Sequence, residues 1–122
     1  MAADTTTKTP LYRPAPENRH IVTNSDCRNM ASEYDVDKLR VKMLAADGIE
    51  EMLLAARKLA KGKCFTAKQL RALSEVFPSD EGKYRLFDQF YGNVSDAENF
   101  GKLISLLSDQ YYIRRFQAML RN

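Results

Sequence analysis

The chain has 122 residues but no tryptophan, only one histidine, His20, and only two cysteines, Cys27 and Cys64. Two cysteines 37 residues apart, with the single histidine in the leader, lack the close ligand spacing of zinc sites, so no metal is expected. The five glycines stand singly, which leaves no glycine-rich loop to cradle a phosphate, and no cofactor is expected either. No window approaches the ~18 uninterrupted apolar residues of a spanning helix, because charged side chains break every apolar stretch. The chain is therefore expected not to span a membrane. The opening Met1 to Thr7 carries no basic segment followed by an apolar one, so the chain is read as cytosolic or as shorn of an export signal. The net charge of +3, with both signs interspersed, does not call for a nucleic-acid or membrane partner. Apolar and polar residues nowhere alternate long enough to argue for a strand.

What is present is helical periodicity. Residues 1–24, rich in Thr and Pro, read as a flexible leader, and residues 25–122 as a single helical domain. Thr66 and Gln69 form a capping box, Phe65 and Leu70 a hydrophobic staple, and Leu70, Leu73 and Phe77 one face of a helix that Pro78 ends. Ser79-Asp80-Glu81 opens the next helix, on which Tyr84, Phe87 and Tyr91 share a face. Ser95-Asp96-Ala97-Glu98 reads as another capping box ahead of Phe100, Leu103, Ile104 and Leu107. Ser108-Asp109 caps a last helix with an inward stripe of Tyr112, Ile113, Phe116, Met119 and Leu120. Upstream, Asp35 or Asp37 is the expected cap of a helix carrying Val36, Leu39 and Met43, after a short extra turn from Cys27 to Tyr34 capped by Ser25 or Asp26. Asp47-Gly48 separates that helix from one carrying Ile49, Met52, Leu53, Ala56 and Ala60, closed by Gly62.

The predicted fold class is thus all-α, with five or six short helices. Lys38-Leu39-Arg40 and Gln69-Leu70-Arg71 each lie in the first helix of a pair, and Phe100 takes the corresponding place in a third. A period near 30 residues suggests three stacked helical hairpins; a generic bundle with recurring caps also fits.

The strings Cys64-Phe65-Thr66, Gln69, Leu73-Ser74, Phe77, Asp80, Gly82-Lys83-Tyr84, Phe87-Asp88 and Tyr91 together resemble an uncharacterised helical family, the domain of unknown function 4476. Val94 to Asp96, Asn99-Phe100, Tyr111-Tyr112, Arg115-Phe116 and Ala118-Met119 extend the likeness, which covers about residues 25–121. The resemblance implies a small all-helical domain, frequent in bacterial proteins that carry an export signal, and implies no activity. It implies that Cys27 and Cys64 are family positions, which, with an even cysteine count in an exported setting, favours a disulfide between them. An exported location, periplasmic or at the cell surface, follows from the same resemblance.

Three residue groups remain as candidates for function. Tyr84, Asp88, Tyr91, Tyr111 and Tyr112 either line a groove for a peptide, a small ligand or a substrate, or belong to the core, with Asp88 satisfied by a tyrosine hydroxyl or a helix amide. Lys38, Arg40, Lys42, Arg57, Lys58, Lys61 and Lys63 form either a basic patch or a solvated face around a helix C-terminus. Nucleic acid is the less favoured partner, since no recognised binding motif accompanies these bases. The paired acids Glu50-Glu51 and Asp80-Glu81 lie in first turns, where carboxylates favour the helix dipole without any chemistry. With the only histidine in the leader, a non-enzymatic module that binds another protein is the leading expectation.

Overall fold

The computed structural model describes residues 27–121, so the expected leader, with His20, and the suggested caps Ser25 and Asp26 lie outside them. Six α-helices form: α1 Glu33–Leu44, α2 Ile49–Leu59, α3 Ala67–Ser74, α4 Asp80–Phe90, α5 Ala97–Phe100 and α6 Gln110–Arg121. Tight 3-10 turns at Tyr91–Asn93 and Gly101–Leu106 extend α4 and α5. Among these described residues no strand forms, and the fold is all-α.

The helices pack in consecutive pairs. α1 lies against α2 and against α3, α4 against α3, α2 and α6, while α5 and its 3-10 extension join α3 to α6. Where each pair begins, one extended residue bridges in parallel to the start of the next pair, Met30 to Cys64 and Phe65 to Val94. These bridges span 34 and 29 residues, so the repeat is uneven around the expected 30. Just ahead of the first helix of each pair, the backbone amides of Ala31, Phe65 and Ser95 are satisfied by carbonyls of a neighbouring pair.

Local sequence explains where the helices start. Thr66 Oγ1 accepts from the Gln69 amide at 3.1 Å, and Gln69 Oε1 accepts from the Thr66 amide at 3.0 Å, completing the expected capping box. α1 starts earlier than expected. Ser32, not Asp35 or Asp37, is its cap; Ser32 Oγ accepts from the Asp35 amide while Asp35 returns a carboxylate to the Ser32 amide. Consequently residues 27–32 are not helical, and the expected extra turn gives way to a backbone that bonds to Cys64. The helix at Ser95-Asp96 also departs from expectation. No side chain caps α5, and after one turn it tightens into the 3-10 segment.

All six phenylalanines, Phe65, Phe77, Phe87, Phe90, Phe100 and Phe116, are buried in the core. Phe90 stacks on Phe65 at 5.3 Å between centroids, while Phe87 meets Phe100 and Phe116 edge-on at 6.3 and 5.8 Å. α4 is therefore buried on two sides, which accounts for its density of aromatics. Gly82 belongs to that packing: a Cβ there would lie 2.3 Å from Phe77 Cδ1. The next residue, Lys83, donates to the carbonyl of Phe77 and, at 3.5 Å, to that of Ser74, closing the C-terminal end of α3.

Candidate functional site

Three of the five predicted groove residues come together where α4 meets α6. The ring of Tyr84, only 8% exposed, lies 5.7 Å from that of Tyr112, and Tyr112 meets Tyr111 edge-on at 4.9 Å. Tyr111 stands out from the surface at 56% exposure. Arg115 organises the three. Its Nη1 donates to Tyr111 Oη at 2.8 Å, and its guanidinium carbon lies 5.2 Å from the Tyr84 ring centre and 5.4 Å from that of Tyr111. Both contacts are within cation–π range. Hydrogen bonds to Tyr84 and then Tyr111 raise the Arg115 pKa, so its charge is fixed. Burial, reinforced by the negative charge of Glu81, pushes the Tyr112 phenol up and keeps it protonated at neutral pH.

The other two predicted residues lie apart from this cluster's contacts. Tyr91, half-buried in its 3-10 turn, packs its ring on Phe100 at 4.8 Å. Asp88 is exposed on α4 and makes no hydrogen bond to a tyrosine among the described residues. Arg115 is not among the residues that the sequence singles out for the groove, although its position four residues after Tyr111 places both on one face of α6.

The bases of the first pair are divided. Lys38, Lys42, Arg57, Lys58 and Lys61 are exposed. Lys63 lies 3.5 Å from Asp35, and Arg40 3.8 Å from Glu75, so these two engage neighbouring carboxylates. A further ion pair crosses from the first pair to the second, with Arg85 2.7 Å from Glu50 and 3.6 Å from Glu81. Hydrogen bonding to Arg85 holds the Glu50 carboxyl below its usual range. Among the described residues no cluster of His, Cys, Asp and Glu could hold a metal ion, and no helix is long and apolar enough to cross a membrane.

Cys27 and Cys64 are joined, with Cα atoms 6.4 Å apart. The link fastens the extended segment before α1 to the start of the second pair, beside the Met30–Cys64 bridge. Such a pair fits an oxidising, extracellular location.

Paired short helices around a core that holds every phenylalanine, clipped at their first bridge by a cysteine pair, define a small all-α domain of stacked helical pairs. The chain belongs to the family described as Domain of unknown function (DUF4476), whose model matches residues 49–120. The match contains Cys64 and the whole Tyr84–Arg115 cluster and begins after α1 and Cys27. No curated protein and no protein of solved structure matches the chain.

Proposed function

We propose that the domain is a non-enzymatic protein-interaction module of an exported or cell-surface protein, and that it contacts its partner through the α4–α6 face around Tyr111 and Arg115. One observation carries this reading: Tyr111 is exposed yet held in place by the Arg115 guanidinium, which is itself seated on buried Tyr84. Tyrosine and arginine are the residues enriched at binding hot spots, and a pre-ordered pair loses little side-chain freedom on binding. The helix that carries them holds Arg114, Arg115 and Arg121 and no acid, which suits a partner surface bearing carboxylates. The cysteine pair supports the exported setting, where such links persist.

Photo-crosslinking in the native host tests the proposal. A benzoylphenylalanine at position 111 should give a discrete adduct with one protein, dependent on Arg115, and the same probe at position 38 on α1 should not. Adducts of equal yield from both positions, or from neither, would overturn it.

A further inference from the structure

Between α3 and the α5 turn lies a cavity of about 250 Å³ that shares no lining residue with the Tyr111 face. Lys68, Arg71 and Lys102 line it, and among the described residues none of the three makes an ion pair. The one acid in its wall, Asp96, has both oxygens engaged. Oδ1 accepts from the Ala67 amide at 2.8 Å and Oδ2 from the Asn99 side-chain amide at 3.0 Å. Three cations against one tethered carboxylate leave the cavity with an excess of two positive charges. Ser105 and Asn99 add hydrogen-bonding groups, and Leu103 and Leu106 an apolar portion.

We infer that this cavity binds a small phosphate monoester. The charge excess matches a phosphate near its second ionisation, and an arginine flanked by two lysines offers a planar fork beside two mobile ammonium groups for its oxygens. The volume corresponds to roughly eight water molecules at about 30 Å³ each, room for a phosphate with a compact organic group of sugar size. It falls below the ~300 Å³ of pockets that enclose drug-sized ligands. Ser105 and Asn99 would meet hydroxyls of that organic part, and the leucines its carbon skeleton. The sequence conceals the site because Lys68 and Arg71 come from one helical pair and Lys102 from the next.

Titration of the full chain with ribose 5-phosphate, followed through backbone amide NMR signals, tests the assignment. Saturable shifts are expected at Ala67, Lys68, Arg71, Lys102 and Ser105. Binding should weaken about tenfold or more in the Arg71→Gln/Lys102→Gln double variant and stay unchanged in Lys58→Gln. Both substitutions are at exposed positions, so the spectrum of the unliganded variant serves as the folding control. Inorganic phosphate should bind the same residues more weakly, and ribose alone should not bind. Shifts spread evenly over the lysines of α1 and α2, binding that survives in the double variant, or equal affinity for inorganic phosphate or citrate would each overturn the inference.

Discussion

The carboxylate of Asp96 accepts a hydrogen bond from the backbone amide of Ala67, 2.8 Å away and 29 residues earlier in the chain. An acid that reads as the start of its own helix thus satisfies the first turn of a different one. Asp80 works across the same boundary in the opposite sense, taking the amides of Ser108 and Asp109 at 2.8 and 2.6 Å. Removing either carboxylate orphans amides at a junction between pairs. Asp96→Ala and Asp80→Ala should each cost on the order of 1–2 kcal/mol in urea unfolding, and Asp80→Asn, which keeps an acceptor, should cost less. Equal losses for Asp80→Ala and Asp80→Asn would contradict this.

Gly82 offers a sharper test of packing. The Phe77 ring fills the space a Cβ would need, so Gly82→Ala should destabilise by about 1–3 kcal/mol although alanine is the better helix former. Gly92, where an added methyl would meet nothing within 4 Å, is the control, and Gly92→Ala should stay within about 0.5 kcal/mol of the parent.

The cysteine link closes a sequence separation of 37 residues. On the chain-entropy account a loop of that size stabilises by up to about 4 kcal/mol, and removal of a native link in small domains commonly costs about 2–5 kcal/mol. Protein purified without reductant should show no free thiol when denatured. The Cys27→Ala/Cys64→Ala variant should unfold at lower urea, by about 2–4 kcal/mol. Two reactive thiols in the unreduced protein would sink both the prediction and the argument for an oxidising location.

Acid sensitivity follows from two carboxylates. The hydrogen bond from the Ser32 amide lowers the Asp35 pKa, with help from the Ser32 hydroxyl and Lys63, and hydrogen bonding to Arg85 lowers that of Glu50. A carboxyl whose pKa is lower in the folded than in the unfolded chain stabilises above its ordinary value and loses that contribution as pH falls through the folded value. Melting temperature should therefore drop below about pH 4, and the gap between the parent and Asp35→Asn/Glu50→Gln should narrow between about pH 7 and about pH 3. A gap that stays constant across that range would show that these ion pairs do not act this way.

Arg115→Ala should leave the melting temperature almost unchanged, since the residue is exposed, yet weaken the near-ultraviolet circular dichroism of the tyrosines it orders. An undiminished signal would mean that Tyr111 is held without it.

Much of this architecture can be read locally. The box at Thr66 and Gln69 and the staple positions Phe65 and Leu70 involve neighbours within a few residues and stand where the pattern puts them, whereas α3 ends at Ser74, four residues short of the expected stop at Pro78, and leaves buried Phe77 beyond the helix. The start of α1 is ambiguous in sequence because Ser32, Asp35 and Asp37 all suit a cap, and only Asp35 bonding back to the Ser32 amide decides among them. The weak α5 escapes for a different reason. Its acid serves Ala67 across a pair boundary, a long-range competitor that no window of sequence displays. Of the candidate face, Tyr111 and Tyr112 are visible as neighbours, but Arg115 over Tyr84 joins α6 to α4 and requires the fold.

The clip at the first bridge also sets how the domain would answer a pull along its chain. Tension arriving at Cys27 passes directly to Cys64, so α1 and α2, which lie wholly between them, carry none of it while the link is intact. Stretching would unravel only α3 onward, and a length on the order of 120 Å, the extended span of the enclosed residues, stays stored until the sulfur bond is reduced.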